Sequence, residues 1–437
     1  MNAWMALPPA LRLTLVAVIG AWVGTLAHRW AARLRAQEVF SQRLVRRDDA
    51  AQARFDWPAW VPILGWWLGR GSVEASSLPR SRRHRSQDAI ARSWRPLVVE
   101  LSSALAFAGL YWWEVLRHGL VEPPMFPSVA AQIAPGVLHA PLVLHLILFG
   151  LMLAASLIDL DEKIIPDEIT VMGTLLGLLL LYLLPSGALP SVDWLRGGQA
   201  VLTPIHAASP NNWPAEFLGR PQFNSFLLGV GCFGLWCFAL LPRSWRTRRG
   251  WRIAWALCWR GIRRERFSAA VASMFVLGSS AIGFAWMAGG VRWQSLLSAL
   301  LGMVASGGIV WCVRVIGHAT LGREAMGFGD VTLLAMIGAF LGWQAGWMIF
   351  FVAPFFGLAF GIFQAMSSRE WEIPYGPFLC LGTLVVIVRW SVLWEGTREI
   401  FAIGWLLPCT LGVMLLLMAG MLAVWARIKR RWLPERH

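Results

Sequence analysis

The sequence predicts an all-α integral membrane protein, a polytopic helical bundle of about eleven transmembrane helices within a range of 9–11. Three observations predict that class. The 437-residue chain is 57% hydrophobic and only 14% charged. Its apolar residues gather into recurrent runs, each near the roughly 20 residues that cross a ~30 Å hydrocarbon layer. Its charges lie mostly between the runs. With lipid on most sides, only helices or closed barrels satisfy every backbone donor and acceptor, and runs this apolar are helices.

The runs lie at 11–27, 97–116, 140–158, 168–185, 223–241, 269–289, 294–313, 331–350, 352–366, 376–393 and 402–426. Within 331–366, the stretch Gly342-Trp343-Gln344-Ala345-Gly346 is expected to turn between two short helices. No basic region precedes the first run and no small-residue cleavage site follows it, so the run is read as a retained anchor.

The formal net charge is +15. Nucleic-acid binding would spread Arg along an amphipathic face or interleave it for groove contacts. Here Arg sits in loops: fourteen in 29–96, nine in 242–267, and a tail with Arg427, Lys429, Arg430, Arg431 and Arg436. That pattern argues against nucleic acid and for membrane topology with attraction to anionic phospholipid. Arg-rich loops are cytoplasmic, which places the N-terminus outside and the C-terminus in the cytoplasm. Alternation then puts 159–167, 242–267 and 317–330 inside and 186–222 outside, in agreement with their charge. The six Cys never form Cys-x-x-Cys, so neither a disulfide framework nor a zinc ribbon is expected.

The organisation follows from these boundaries. Residues 1–28 form the first transmembrane helix, 29–96 a basic cytoplasmic loop, and 97–186 further spans carrying the stretch Ile158 to Asp167. Residues 187–292 hold an outside loop, two spans and an Arg-rich loop, and 293–437 the remaining spans and the basic tail. The outside loop, with Pro190, Pro204, Pro210, Pro214 and Pro221, is expected to lack regular structure.

Two motifs carry the chemistry. Ile158-Asp159-Leu160-Asp161-Glu162-Lys163-Ile164-Ile165-Pro166-Asp167 and Gly327-Phe328-Gly329-Asp330 each set a carboxylate where an apolar run meets polar sequence. An ionised Asp near hydrocarbon is costly, and membrane chains keep one where it faces protein or a wet cavity and has a task. Hydrolysis of a peptide bond needs one carboxylate to take a proton from water and a second, protonated, to donate to the carbonyl. Two such groups held close share a proton. Helical geometry turns Asp161 about 200° from Asp159, so only one of them faces a given interior. Asp167 follows Pro166 and would cap the next helix. The plainer account makes Asp159 and Asp161 a charged span end with an Asp159–Lys163 pair, and makes Asp330 a helix cap. Gly327 and Gly329 flanking Phe328 permit close approach of another extended chain.

Together with Met326 to Trp343 and Ile373-Pro374-Tyr375-Gly376-Pro377-Phe378, these stretches resemble the prepilin peptidases, the type IV prepilin leader peptidase family of Gly-x-Gly-Asp membrane aspartic endopeptidases. Trp60 to Gly71 and Arg95 to Leu101 add similarity. The resemblance implies catalysis by Asp159 and Asp330, with Gly327, Phe328, Gly329, Asp161 and Pro166 in support. It implies cleavage after Gly of type IV prepilin or type II secretion pseudopilin leaders, at the cytoplasmic face of the bacterial inner membrane.

Departures bear on the rest. Family members often carry two Cys-x-x-Cys pairs where this chain has Arg70 to Ser77. No zinc is therefore expected, and S-adenosylmethionine is a cofactor only if N-methylation of the product is retained. The family usually has Lys where this chain has Thr332. Glu100 and His145 read as interior hydrogen-bonding residues, and His318 and Arg323 as residues that could meet a leader peptide. Two rival readings are a catalytically silent scaffold that binds pilin-type helices and a proton-coupled transporter, whose sites lie at mid-membrane.

Overall fold

The computed structural model describes residues 2–43, 86–121, 136–194, 200–213, 222–241, 266–321, 326–367, 374–404 and 406–432. The readings made on Trp60 to Gly71, on Arg70 to Ser77, on Arg323, and on most of the loops 29–96 and 242–267 lie outside these residues. The long helices are α1 (Pro9–Arg43), α2 (Ser86–Tyr111), α3 (His139–Glu162), α4 (Asp167–Leu183), α5 (Phe223–Leu240), α6 (Arg266–Ala288), α7 (Gly290–Leu321), α8 (Phe328–Ser367), α9 (Gly376–Val388), α10 (Trp390–Ala402) and α11 (Leu406–Trp432). Two short strands, β1 (Pro190–Trp194) and β2 (Ala200–Pro204), pair with each other.

The protein is an all-α polytopic membrane protein. Among the described residues eight helices are long and apolar enough to cross a membrane, and nine if the bent pair α9–α10 counts as one span. The difference from eleven runs has two sources. Helix α4, at 17 residues, is about 25 Å long and falls just short of a full crossing. The runs 331–350 and 352–366 count as one span in α8, whose two helical segments meet at Gly342, inside the stretch expected to turn, with a backbone at φ +85° and ψ 169°. Such a φ suits a residue without Cβ. Large apolar side chains stay exposed along the helices, Leu105, Leu277, Phe355, Leu416 and Met421 each above 70%. This is the surface that lipid covers.

The chain divides into two compact units. The first comprises Met1–Gly173, Pro190–Thr203 and Phe351–Glu395. Its α1 and α2 pack through small residues, the contact that lets backbones approach in a lipid setting where apolar burial gives little drive. A Cβ on Gly20 would lie 2.8 Å from the Ser103 carbonyl oxygen, and one on Gly24 3.0 Å from Glu100 Cα. The Ser103 hydroxyl donates to the Gly20 carbonyl (2.8 Å) and the Thr25 hydroxyl to Glu100 Oε1 (2.9 Å). One end of this unit is marked by Trp4 Nε1 donating to His139 Nε2 (3.1 Å) and by Ser391 donating to the Gly119 carbonyl (3.3 Å). The other end is marked by the ion pair Arg95–Asp161 at 2.7 Å.

Helices α9 and α10 meet at 91°. Trp390 and Trp394 stack at 5.5 Å and donate to the Pro190 carbonyl (2.8 Å) and the Ser191 hydroxyl (3.2 Å). The segment 186–222, expected to lack regular structure, thus contains a β-hairpin. Its first strand is fixed by indole donors from a distant helix, which local sequence does not announce.

The second unit comprises Thr174–Leu189, Pro204–Phe350 and Gly396–His437. Here α7 and the first part of α8 touch backbone to backbone: a Cβ on Gly302 would meet the Gly338 carbonyl, and one on Gly338 would meet the Gly302 carbonyl and Ser306. Just past the break at Gly342, Trp343 Nε1 donates to the Ala207 carbonyl (2.7 Å) and Gln344 Nε2 to the carbonyls of His206 (2.9 Å) and Ser209 (3.2 Å). The Ala207 amide in turn donates to Ser298 near the start of α7 (3.0 Å). The segment 204–211 is therefore pinned to one end of this unit.

Candidate active site

Asp159 sits in the last turn of α3, in the first unit. Hydrophobic neighbours Leu157 and Ile158 bury that turn, leaving Asp159 5% exposed. The helix stops four residues on because Lys163 adopts a left-handed conformation (φ 57°, ψ 32°), its amide donating to the Asp159 carbonyl. The side chain finds its partner 217 residues away: the Gly376 N–H, opening α9, donates to Asp159 Oδ2 at 3.1 Å. A backbone donor of this kind orients a carboxylate. The approach depends on glycine. A Cβ at Gly376 would stand 2.5 Å from Asp159 Oδ2 and 2.9 Å from Ile165 Cδ1.

Asp161 faces elsewhere, as its helical phase requires. It is exposed at the surface of α3 and pairs with Arg95, in the third turn of α2. The two acids of the stretch thus have separate environments, one buried and one ion-paired in the open. Pro166 supplies the carbonyl that accepts the amides of Ile169 (3.2 Å) and Thr170 (3.4 Å), so the next helix begins at Asp167. Asp167 is the first residue of that helix, one place inside the cap position expected for it, which Pro166 takes.

Asp330 lies in the second unit, in the first turn of α8, 7% exposed. Its Oδ2 accepts the Gly327 amide at 3.2 Å. This is the reach from third helical residue back to the capping residue that satisfies an otherwise orphaned amide. The cap reading of Asp330 is thus realised in part, with the helix beginning at Phe328 and not at Val331. Arg314 of α7 lies over the Phe328 ring at 5.5 Å, a cation–π contact that fixes the aromatic of the loop. The Thr332 hydroxyl turns back to the Gly329 carbonyl at 3.0 Å and the residue is 3% exposed. A long cationic side chain there would have to leave that buried position.

The two aspartates share one design, a buried carboxylate at a helix end with one oxygen held by a glycine amide. Gly376 and Arg314 were not singled out as site residues from the sequence. Gly376 lies in the quoted Ile373 to Phe378 stretch, whose value is clear only once Asp159 is seen against it. Among the described residues no three His, Cys, Asp or Glu side chains converge.

Fold and carboxylates together define a polytopic α-helical membrane protein with acids buried at span ends. Residues 266–362 match the type IV leader peptidase family. Relatives named prepilin leader peptidase/N-methyltransferase include one of Burkholderia pseudomallei, 36% identical over 91 residues, 20% of this chain and 29% of the relative. One of Escherichia coli is 36% identical over 92 residues, 21% of this chain and 41% of the relative. One of Aeromonas salmonicida is 31% identical over 93 residues, 21% of this chain and 32% of the relative. The chain therefore spans well under half the length of the relatives it matches. No solved structure matches. The stretch 266–362, which contains Asp330, is similar to the type IV leader peptidase family, in line with the resemblance read from the motifs there. The match opens inside 187–292, the stretch set apart as an insertion.

Proposed function

We propose that the protein is an aspartic endopeptidase that removes the leader of type IV prepilin or type II secretion pseudopilin precursors. It cleaves after a Gly at the cytoplasmic face of the bacterial inner membrane. The N-terminus lies outside and the C-terminus in the cytoplasm, as the Arg distribution indicates. Asp159 and Asp330 act as one acid–base pair. The observation that carries this reading is that both motif aspartates are buried at helix ends, each with one oxygen fixed by a glycine amide. The match of 266–362 to the family supports it for the Asp330 half.

The pair shares one proton. The ionised member takes a proton from water as the water oxygen bonds to the scissile carbonyl carbon, while the protonated member donates to the carbonyl oxygen. In the second step the hydroxyl proton returns to a carboxylate, the amide nitrogen gains a proton, and the C–N bond breaks. The leader leaves with a Gly carboxylate and the mature chain with a free amine. Gly327-Phe328-Gly329 lies alongside the extended leader, where absent side chains allow close approach.

The test is cleavage of a co-expressed precursor by wild type, Asp159→Asn and Asp330→Asn, read by mass. Trimming by wild type and none by either variant is the expected result, and the same spectrum reports any added methyl. Equal trimming by all three removes the reading. An uncut panel of precursors leaves a scaffold that binds pilin-type helices.

A further inference from the structure

The segment Asn2 to Pro8 folds back over one end of the first unit. After the helical turn Asn2–Met5 the Leu7 amide donates to the Trp4 carbonyl (3.2 Å), and the Pro8 carbonyl accepts the Arg12 amide of α1 (3.1 Å). Side chains hold the turn down. Trp4 Nε1 donates to His139 Nε2 at the start of α3 (3.1 Å), and Arg12 Nη1 donates to Met5 Sδ (3.6 Å). Trp4 meets the Tyr111 ring edge to face at 6.3 Å, and Tyr111 meets the His139 ring in the same manner at 6.1 Å. Tyr111 beneath them is 0% exposed, so Trp4 closes this end over a ring cluster drawn from α2 and α3.

The Trp4–His139 bond exists in one protonation state of the imidazole. An indole N–H is a donor only, so the nitrogen that receives it keeps its lone pair, and His139 is neutral with its proton on Nδ1. An imidazolium carries a proton on both nitrogens and offers Trp4 no acceptor. Histidine is the side chain whose charge ordinarily changes between about pH 5 and 8. We infer that residues 2–8 form an acid-released cap on this end of the first unit, with His139 as its sensor. The cap is docked at neutral pH and above, and is lost as the pH falls and His139 takes up a proton.

The groups around His139 come from each helix packed on α3. From α1 there is Arg12, 9% exposed, whose charge acts on His139. A proton on the imidazole therefore removes the acceptor and sets a second positive charge near the first. From α2 there are Tyr111 and Glu114, the latter engaged with His145 at 2.9 Å. Arg117, over the Trp112 ring at 5.1 Å, and His118 follow them. Helix α9 presents Cys380, which donates to the Met152 carbonyl about 20 Å along α3 from His139. With the N-terminus outside, as the Arg distribution indicates, the cap meets the external medium. Only that side assignment is shared with the peptidase reading, since the test below involves no cleavage.

The full chain, with 5-fluorotryptophan at Trp4 alone, is placed in lipid nanodiscs and its fluorine resonance is followed from about pH 7.5 to about pH 5. The otherwise wild-type chain is expected to show a docked resonance at neutral pH and a growing released one in acid. The docked-to-released ratio falls by up to about tenfold per pH unit, as the uptake of one proton requires. His139→Gln, whose amide oxygen accepts at any pH, keeps the docked resonance throughout, and His139→Phe, which has no acceptor, shows the released one throughout. His118→Gln titrates like wild type. Should the His139 variants fail to fold, Trp4→Phe supplies a second reading: wild type melts above it at neutral pH and level with it in acid. A wild-type resonance that stays unchanged over this range, a change that survives in His139→Gln or vanishes in His118→Gln, or a melting margin over Trp4→Phe that persists in acid overturns the switch.

Discussion

Gly376→Ala isolates what the glycine amide does for Asp159. The added methyl would lie 2.5 Å from Asp159 Oδ2 and 2.9 Å from Ile165 Cδ1, so the carboxylate must withdraw. Withdrawal breaks the 3.1 Å bond from the Gly376 N–H. A hydrogen bond to a charged group contributes about 1.5–3 kcal/mol. At about 1.4 kcal/mol per factor of ten, a site that needs this orientation loses about 10- to 150-fold in kcat/KM. Helix propensity acts the other way, since Ala in place of Gly within a helix stabilises by about 0.5–1 kcal/mol. Gly109→Ala in α2, where a Cβ meets nothing within 4 Å, supplies the control and is expected to cleave like wild type. The assay is initial-rate cleavage of a prepilin-type precursor by purified protein in vesicles, alongside a melting curve. Cleavage by Gly376→Ala at the rate of Gly109→Ala would refute the claim that this amide positions the carboxylate.

Two further outcomes follow from packing. Gly338→Ala drives a methyl into the Gly302 carbonyl and Ser306, and overpacking of this kind destabilises by about 1–3 kcal/mol, read as a lowered melting temperature in detergent. His145→Ala removes the 2.9 Å partner of Glu114, both residues being at most 1% exposed. Leaving a buried hydrogen-bonding group without its partner costs about 1–3 kcal/mol, whereas apolar replacement of both is near neutral. Glu114→Met with His145→Leu is accordingly expected to melt close to wild type, and a double variant as unstable as His145→Ala contradicts the pairing.

The fold class was legible because lipid imposes a single rule, long apolar runs folded as helices, and composition states it openly. Asp159 and Asp330 stood out for the same reason, as carboxylates at the ends of such runs. The break in α8 fell at Gly342, inside the stretch expected to turn, because the turn needs a residue that tolerates positive φ. What remained hidden was long-range. The partner of Asp159 is an amide 217 residues away, and no local pattern marks a backbone donor. The hairpin of β1 and β2 was read as irregular from its prolines, yet Trp390 and Trp394 hold β1 from α10. Helix α10 itself, turned 91° from α9, was missed: the run 376–393 takes in only its first four residues, because Arg389 interrupts apolar sequence without ending it.

The central claim is that Asp159 and Asp330 work as one unit, and a double-variant comparison tests it most directly. Rates of precursor cleavage are measured for Asp159→Asn, Asp330→Asn and the two combined, with melting temperatures to confirm folding. Residues that act as a unit are strongly non-additive. Each single variant is expected to lose essentially all cleavage, about a thousandfold or more, and the combination to lose no more than either. A single variant that keeps substantial activity, or losses that multiply in the double variant, would contradict the account.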